Sequence, residues 1–99
     1  MKTLERLVNA KKNISLGNHK VELDGKYRNF FYHWTVVCRV DDEGKTFVTN
    51  RGGWGTRSTT RVINWYRKYF ADEGYRYTKD DLLKQLDEYI KQNKKEGSA

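Results

Sequence analysis

Apolar positions in the first dozen residues recur at helical spacing. Leu4, Leu7 and Val8 share one face with Glu5, Arg6 and Asn9 opposite, which predicts a short helix over 3–11. A helix of that length does not hold alone in water and needs a surface to dock on. From Asn13 the period drops to two. Ile14 and Leu16 alternate with polar residues, Gly17-Asn18 interrupts, and Val21 and Leu23 resume, so the stretch reads as one kinked strand or a small hairpin. Asp24-Gly25 marks a turn. Phe30, Tyr32, Trp34, Val36, Cys38 and Val40 then line one face of a single long strand, with Phe31, His33, Thr35, Val37 and Arg39 on the other. Asp41 to Gly44 reads as a hairpin loop with solvated carboxylates, and Lys45 to Thr49 as the returning strand.

The glycine-dense segment 50–55 ends this pattern. Thr56 or Ser58 then caps a helix over 58–72. Val62, Ile63, Tyr66, Tyr69 and Phe70 point it toward the sheet, and Gly74 supplies its stop. Thr78 followed by Asp81 resembles a capping box and opens a last helix over 79–92, before a frayed tail at 93–99. The chain therefore predicts a single α+β domain over 1–99. Its three-stranded antiparallel sheet lies within 13–50, with helices packed on one face in the order α-β-β-β-α-α. The other sheet face is expected to stay partly open to solvent.

At 99 residues there is room for one core and no separate catalytic domain. Charged residues make up 33% of the chain, but 14% aromatic residues supply enough core mass to argue against disorder. A lone cysteine, Cys38, excludes an internal disulfide and a multi-cysteine zinc site. No apolar run approaches the roughly 20 residues of a membrane helix, and the first residues lack a signal-peptide core, so a cytoplasmic location without membrane contact is expected.

Charge changes the picture most. The net charge of +7 is uneven, and residues 45–71 contain Lys45, Arg51, Arg57, Arg61, Arg67 and Lys68 with no carboxylate. A run of one sign points to a polyanion or an acidic protein surface. On a helical projection Arg57, Arg61, Asn64 and Lys68 fall on one stripe. Glycines 52, 53 and 55 allow a close backbone approach, Thr56 offers a hydroxyl at the helix start, Arg51 adds charge, and Trp54 is suited to stacking. These seven residues (Arg51, Trp54, Thr56, Arg57, Arg61, Asn64 and Lys68) are the candidate contacts to nucleic acid or to a protein partner. The segment matches neither a Walker A loop nor a dinucleotide fingerprint, and no cofactor or metal is expected.

The leading reading is a small non-enzymatic protein that contacts the phosphate backbone. A second is an inhibitor of a host nucleic-acid-handling complex, such as an anti-CRISPR or other anti-defence protein, acting through protein contacts. A third is a small ribonuclease using His19 and His33 with Glu22 or Asp24. The element order is similar in topology to double-stranded RNA-binding domains and to three-stranded-sheet DNA binders. The run Gly53-Trp54-Gly55-Thr56-Arg57-Ser58-Thr59-Thr60-Arg61-Val62-Ile63-Asn64 resembles a segment of small uncharacterised proteins from bacteriophages and mobile elements. That resemblance implies a phage origin, host cytoplasm as the place of action, and no established activity.

Overall fold

The computed structural model describes residues 2–33, 35–50 and 57–78. Among them the chain runs α1 (Lys2–Val8), β1 (Ile14–Leu16), β2 (His19–Asp24), β3 (Tyr27–Tyr32), β4 (Thr35–Asp41), β5 (Thr46–Thr49), α2 (Arg57–Asp72) and β6 (Arg76–Tyr77). The strands form one six-stranded sheet in sequence order. The first five pair antiparallel as a meander, and β6 adds parallel to β5. This corrects the expected three-stranded antiparallel sheet in the order α-β-β-β-α-α: the sheet is mixed, twice as wide, and joined by two described helices. The expected helix over 79–92 and the tail lie outside the described residues.

The largest correction is the long strand expected over 30–40, which is a hairpin. Tyr32 pairs with Thr35 across a turn that holds His33 at φ 49°. Phe31 pairs with Val36, yet Phe30 pairs with Cys38, so Val37 is an extra residue in β4. The turn shifts the in–out alternation by one residue and the bulge shifts it back. Even-numbered positions on both strands beyond the bulge therefore face the core, and the period-two pattern looks unbroken in the sequence. Val36 is the casualty of that appearance, since it sits opposite Phe31 and away from the row of Phe30 and Cys38. The alternatives at Gly17-Asn18 resolve to the hairpin, with Gly17 at φ 62° and Leu16 paired to His19.

Both helices pack on one face of the sheet. Leu4, Leu7 and Val8 of α1 and Val62, Ile63, Tyr66 and Phe70 of α2 join Val21, Phe30, Cys38, Val40 and Phe47 in one core cluster. The Phe70 ring meets Phe30, Phe47 and Tyr75, so the last turns of α2 are anchored from three sides. Gly74, at φ 90°, ends the helix as expected, with the Tyr75 N–H returning to the Phe70 carbonyl at 2.9 Å. The second sheet face is partly open, as expected: Ser15 of β1 is exposed and Lys20 and Glu22 of β2 are half-exposed, while the middle of the sheet is covered. The cross-strand row Asn29, Arg39 and Val48 is buried, with Arg39 donating to Asn29 Oδ1 at 2.9 Å and resting on the Tyr27 ring at 4.2 Å.

Arg28 locks the ends of the elements together. Its guanidinium makes two 2.7 Å bonds to the Asp42 carboxylate and one of 2.8 Å to the Val8 carbonyl, and it lies over the Phe30 and Phe70 rings. The Tyr75 hydroxyl donates to the same carboxylate at 2.6 Å. Asp42 is thus a structural partner, and not the solvated turn residue expected from the run of acids. Asp41 also has a role, accepting the Glu43 and Gly44 N–H groups and tightening the β4–β5 turn.

Candidate nucleic-acid interface

The buried and exposed positions of α2 divide it cleanly. Thr59, Val62, Ile63, Tyr66 and Phe70 are buried, whereas Arg57, Arg61, Asn64, Arg67 and Lys68 are exposed. Near 100° per residue, Arg57, Arg61, Asn64 and Lys68 fall within an arc of about 60°, opposite the buried face. The sheet dictates this orientation, because the apolar stripe admits only one rotation of the helix about its axis. Along that axis Arg57 and Arg61 stand about 6 Å apart and Lys68 about 10 Å further on. Arg57, Thr60, Arg61 and Asn64 border a shallow open groove.

The electrostatics match the geometry. Lys20, Lys26 and Arg28 are paired with Glu22, Asp41 and Asp42. Among the described residues, no carboxylate forms an ion pair with Arg57, Arg61, Arg67 or Lys68. Three cations of the meander thus have carboxylate partners, whereas among the described residues the exposed cations of α2 have none.

Aromatic residues flank the stripe. On one side Trp65 stacks on Tyr69, with centroids 5.2 Å apart and planes 6° apart, and both are half-buried. Burial raises the Tyr69 phenol above its ordinary value, so it stays a neutral hydroxyl. On the other side Arg67 lies 4.9 Å over Tyr77, the exposed large hydrophobic residue of the described chain. Sequence reasoning missed that pairing, since a two-residue parallel strand carries no periodicity that could reveal it.

Four of the candidate contacts, Arg57, Arg61, Asn64 and Lys68, are thus brought together on one exposed surface. Arg51, Trp54 and Thr56 lie outside the described residues. Lys45 does not join the stripe. Its ammonium sits 4.6 Å over the Tyr75 ring, past the C-terminal end of α2. Cys38 is fully buried, and burial pushes its thiol well above the ordinary range, which leaves it an inert packing group.

The two histidines, distant in sequence, come together at neighbouring hairpin tips, a proximity their spacing did not signal. The Tyr32 ring contacts both imidazoles, at 4.9 Å from His19 and 4.2 Å from His33. Of the carboxylates considered with them, Glu22 is bound to the Lys20 ammonium at 3.1 Å. No family model, curated protein or solved structure matches this chain.

Proposed function

We propose that the chain is a small non-enzymatic binding protein that holds the phosphate backbone of a nucleic acid against the outer face of α2. Arg57, Arg61 and Lys68 supply the charge and Asn64 a neutral donor and acceptor between them. Arg51, Trp54 and Thr56, which precede the helix in the sequence, are further candidate contacts. The observation that carries this reading is the stripe itself: three exposed cations and an amide, opposite the buried face, with no described carboxylate paired to them. Their span of about 16 Å matches the rise of about five nucleotides along one strand. A phage-encoded protein working in host cytoplasm fits the resemblance of residues 53–64.

Fluorescence anisotropy with labelled DNA and RNA duplexes, from low to physiological salt, tests the reading. Binding that weakens steeply with salt is expected, and no binding at low salt refutes it. The aromatic pairs flanking the stripe favour one alternative, an inhibitor that seats them in a host nucleic-acid-handling complex, such as an anti-CRISPR protein. Capture from nuclease-treated lysate separates the two. A specific protein retained under those conditions selects the alternative, and loss of every partner selects the first.

A further inference from the structure

The junction of the two histidines has features that the packing of the fold does not require. Asn18, in the β1–β2 turn, accepts the His33 N–H at 3.0 Å, tying the two hairpin tips together. His33 occupies the left-handed region at φ 49°, a conformation uncommon for a residue with a side chain. Beside it lies a notch of about 40 Å³, several times the space one water needs. Ser15, Gly17, Asn18, His19, Lys20 and His33 line it, with the Phe31 ring at its side.

The polar groups of this lining are mostly donors: the Ser15 hydroxyl, the Asn18 amide, the Lys20 ammonium and the imidazole N–H groups. Among the described residues no carboxylate lines it. The groups around the two rings are Ser15 from β1, Lys20 with its partner Glu22 from β2, and Phe31 and Tyr32 from β3. Lys20 is held in place, with its ammonium 4.2 Å over Phe31. His19 Nδ1 is withdrawn from solvent and has no hydrogen-bond partner. Burial first, and then the nearby His33, hold the His19 pKa below its ordinary value of 6.5.

We propose that this notch is a proton-coupled binding site for a small oxyanion, inorganic phosphate or a terminal phosphate monoester. Two imidazolium rings beside a lysine repel one another, and a bound oxyanion, singly or doubly charged, relieves that repulsion. Binding therefore takes up protons, and affinity rises as pH falls through the histidine range. A divalent cation fits poorly, because Lys20 repels it and, among the described residues, no third His, Cys, Asp or Glu completes a ligand set. The proposal stands apart from the basic face of α2, and its test does not involve that helix.

The test follows the imidazole ¹H–¹⁵N signals of the full chain during titration with inorganic phosphate. Titrations run at about pH 5.5, 6.5 and 7.5, with chloride at matched ionic strength as the control. Phosphate is expected to shift the ring signals of both histidines, with affinity at least about tenfold higher at the lowest pH than at the highest. His33→Asn keeps a residue that tolerates the left-handed turn and is expected to weaken phosphate binding at least about fivefold at pH 5.5. Ring signals that respond equally to chloride, an affinity independent of pH, or full affinity in H33N overturns the proposal. A 5′-phosphorylated dinucleotide and its 5′-hydroxyl counterpart then identify the source. A response to the phosphorylated form alone identifies a nucleic-acid end as ligand, and a response to inorganic phosphate alone identifies the free anion.

Discussion

Replacing both Arg57 and Arg61 with alanine separates binding from folding. Each cation that neutralises a phosphate contributes about −0.9 to the slope of log affinity against log salt on duplex DNA. The four cations assigned to the contact, Arg51, Arg57, Arg61 and Lys68, together give a slope of about −3.6. A fourfold salt increase, from about 50 to about 200 mM, should then weaken wild-type binding about 150-fold. With Arg51 and Lys68 left the slope falls to about −1.8, and the same increase costs only about 12-fold. Folding should hardly change. Both side chains are exposed, neither is paired with a described carboxylate, and alanine is the better helix former, so each change stays within about 0.5 kcal/mol. Anisotropy titrations at three salt concentrations give the slope, and a urea melt gives the stability. A double variant that keeps the wild-type slope would sink the argument, because the cations then touch no phosphate. Loss of folding would do the same, by showing the arginines to be structural.

Arg28→Met should lower stability by about 3 kcal/mol, since it removes the paired bonds to Asp42 and the bond to Val8; a fall in Tm of less than about 5 °C would show that the lock contributes little. Tyr66→Phe should raise Tm by several degrees, because the buried Tyr66 hydroxyl has no partner and its removal leaves the ring packing intact. Unchanged or lower stability in a thermal melt would mean the hydroxyl is satisfied. Stability should also fall on acidification below pH 6.5. The folded chain holds His19 neutral where the unfolded chain binds a proton, so this contribution is complete above 6.5 and lost as pH falls toward the folded value. His19→Gln should flatten that part of the urea-midpoint profile, and a profile identical to wild type refutes the assignment.

Local signals were legible wherever one interaction decided the outcome. Leu4, Leu7 and Val8 placed α1, Gly74 ended α2, and the spacing of Val62, Ile63, Tyr66 and Phe70 fixed which way α2 faces. Because that rotation also sets the opposite face, the stripe from Arg57 to Lys68 could be read from the sequence before any tertiary contact was known. Signals failed where two departures cancelled. The β3–β4 turn carries no glycine, asparagine or proline, and the bulge at Val37 restores the alternation that the turn had broken. Nothing in a period-two pattern distinguishes that arrangement from one straight strand. Partners chosen by tertiary packing were equally invisible. Asp42 looked like one acid among three until Arg28 was seen to reach it from β3, and His19 meets His33 only because two hairpins end side by side.

The placement of charge along α2 bears on why the stripe exists. The helix has no acidic residue in its first turn and no basic residue in its last, with Arg57 at its start and Asp72 at its end. This is the reverse of what the helix dipole favours, since the N-terminal end carries partial positive charge. In the free protein, Arg57 therefore stands where a carboxylate would stabilise the helix. A bound phosphate inverts the balance, because the same end and the same guanidinium then attract one anion. Arg57→Glu should thus move two measurements in opposite directions. The urea midpoint should rise, corresponding to a gain of about 0.3–1 kcal/mol, while affinity for nucleic acid falls by more than in Arg57→Ala, as repulsion replaces a lost contact. If Arg57→Glu lowers stability and leaves affinity intact, the cation at this position serves the fold, and the stripe loses its claim as a binding surface.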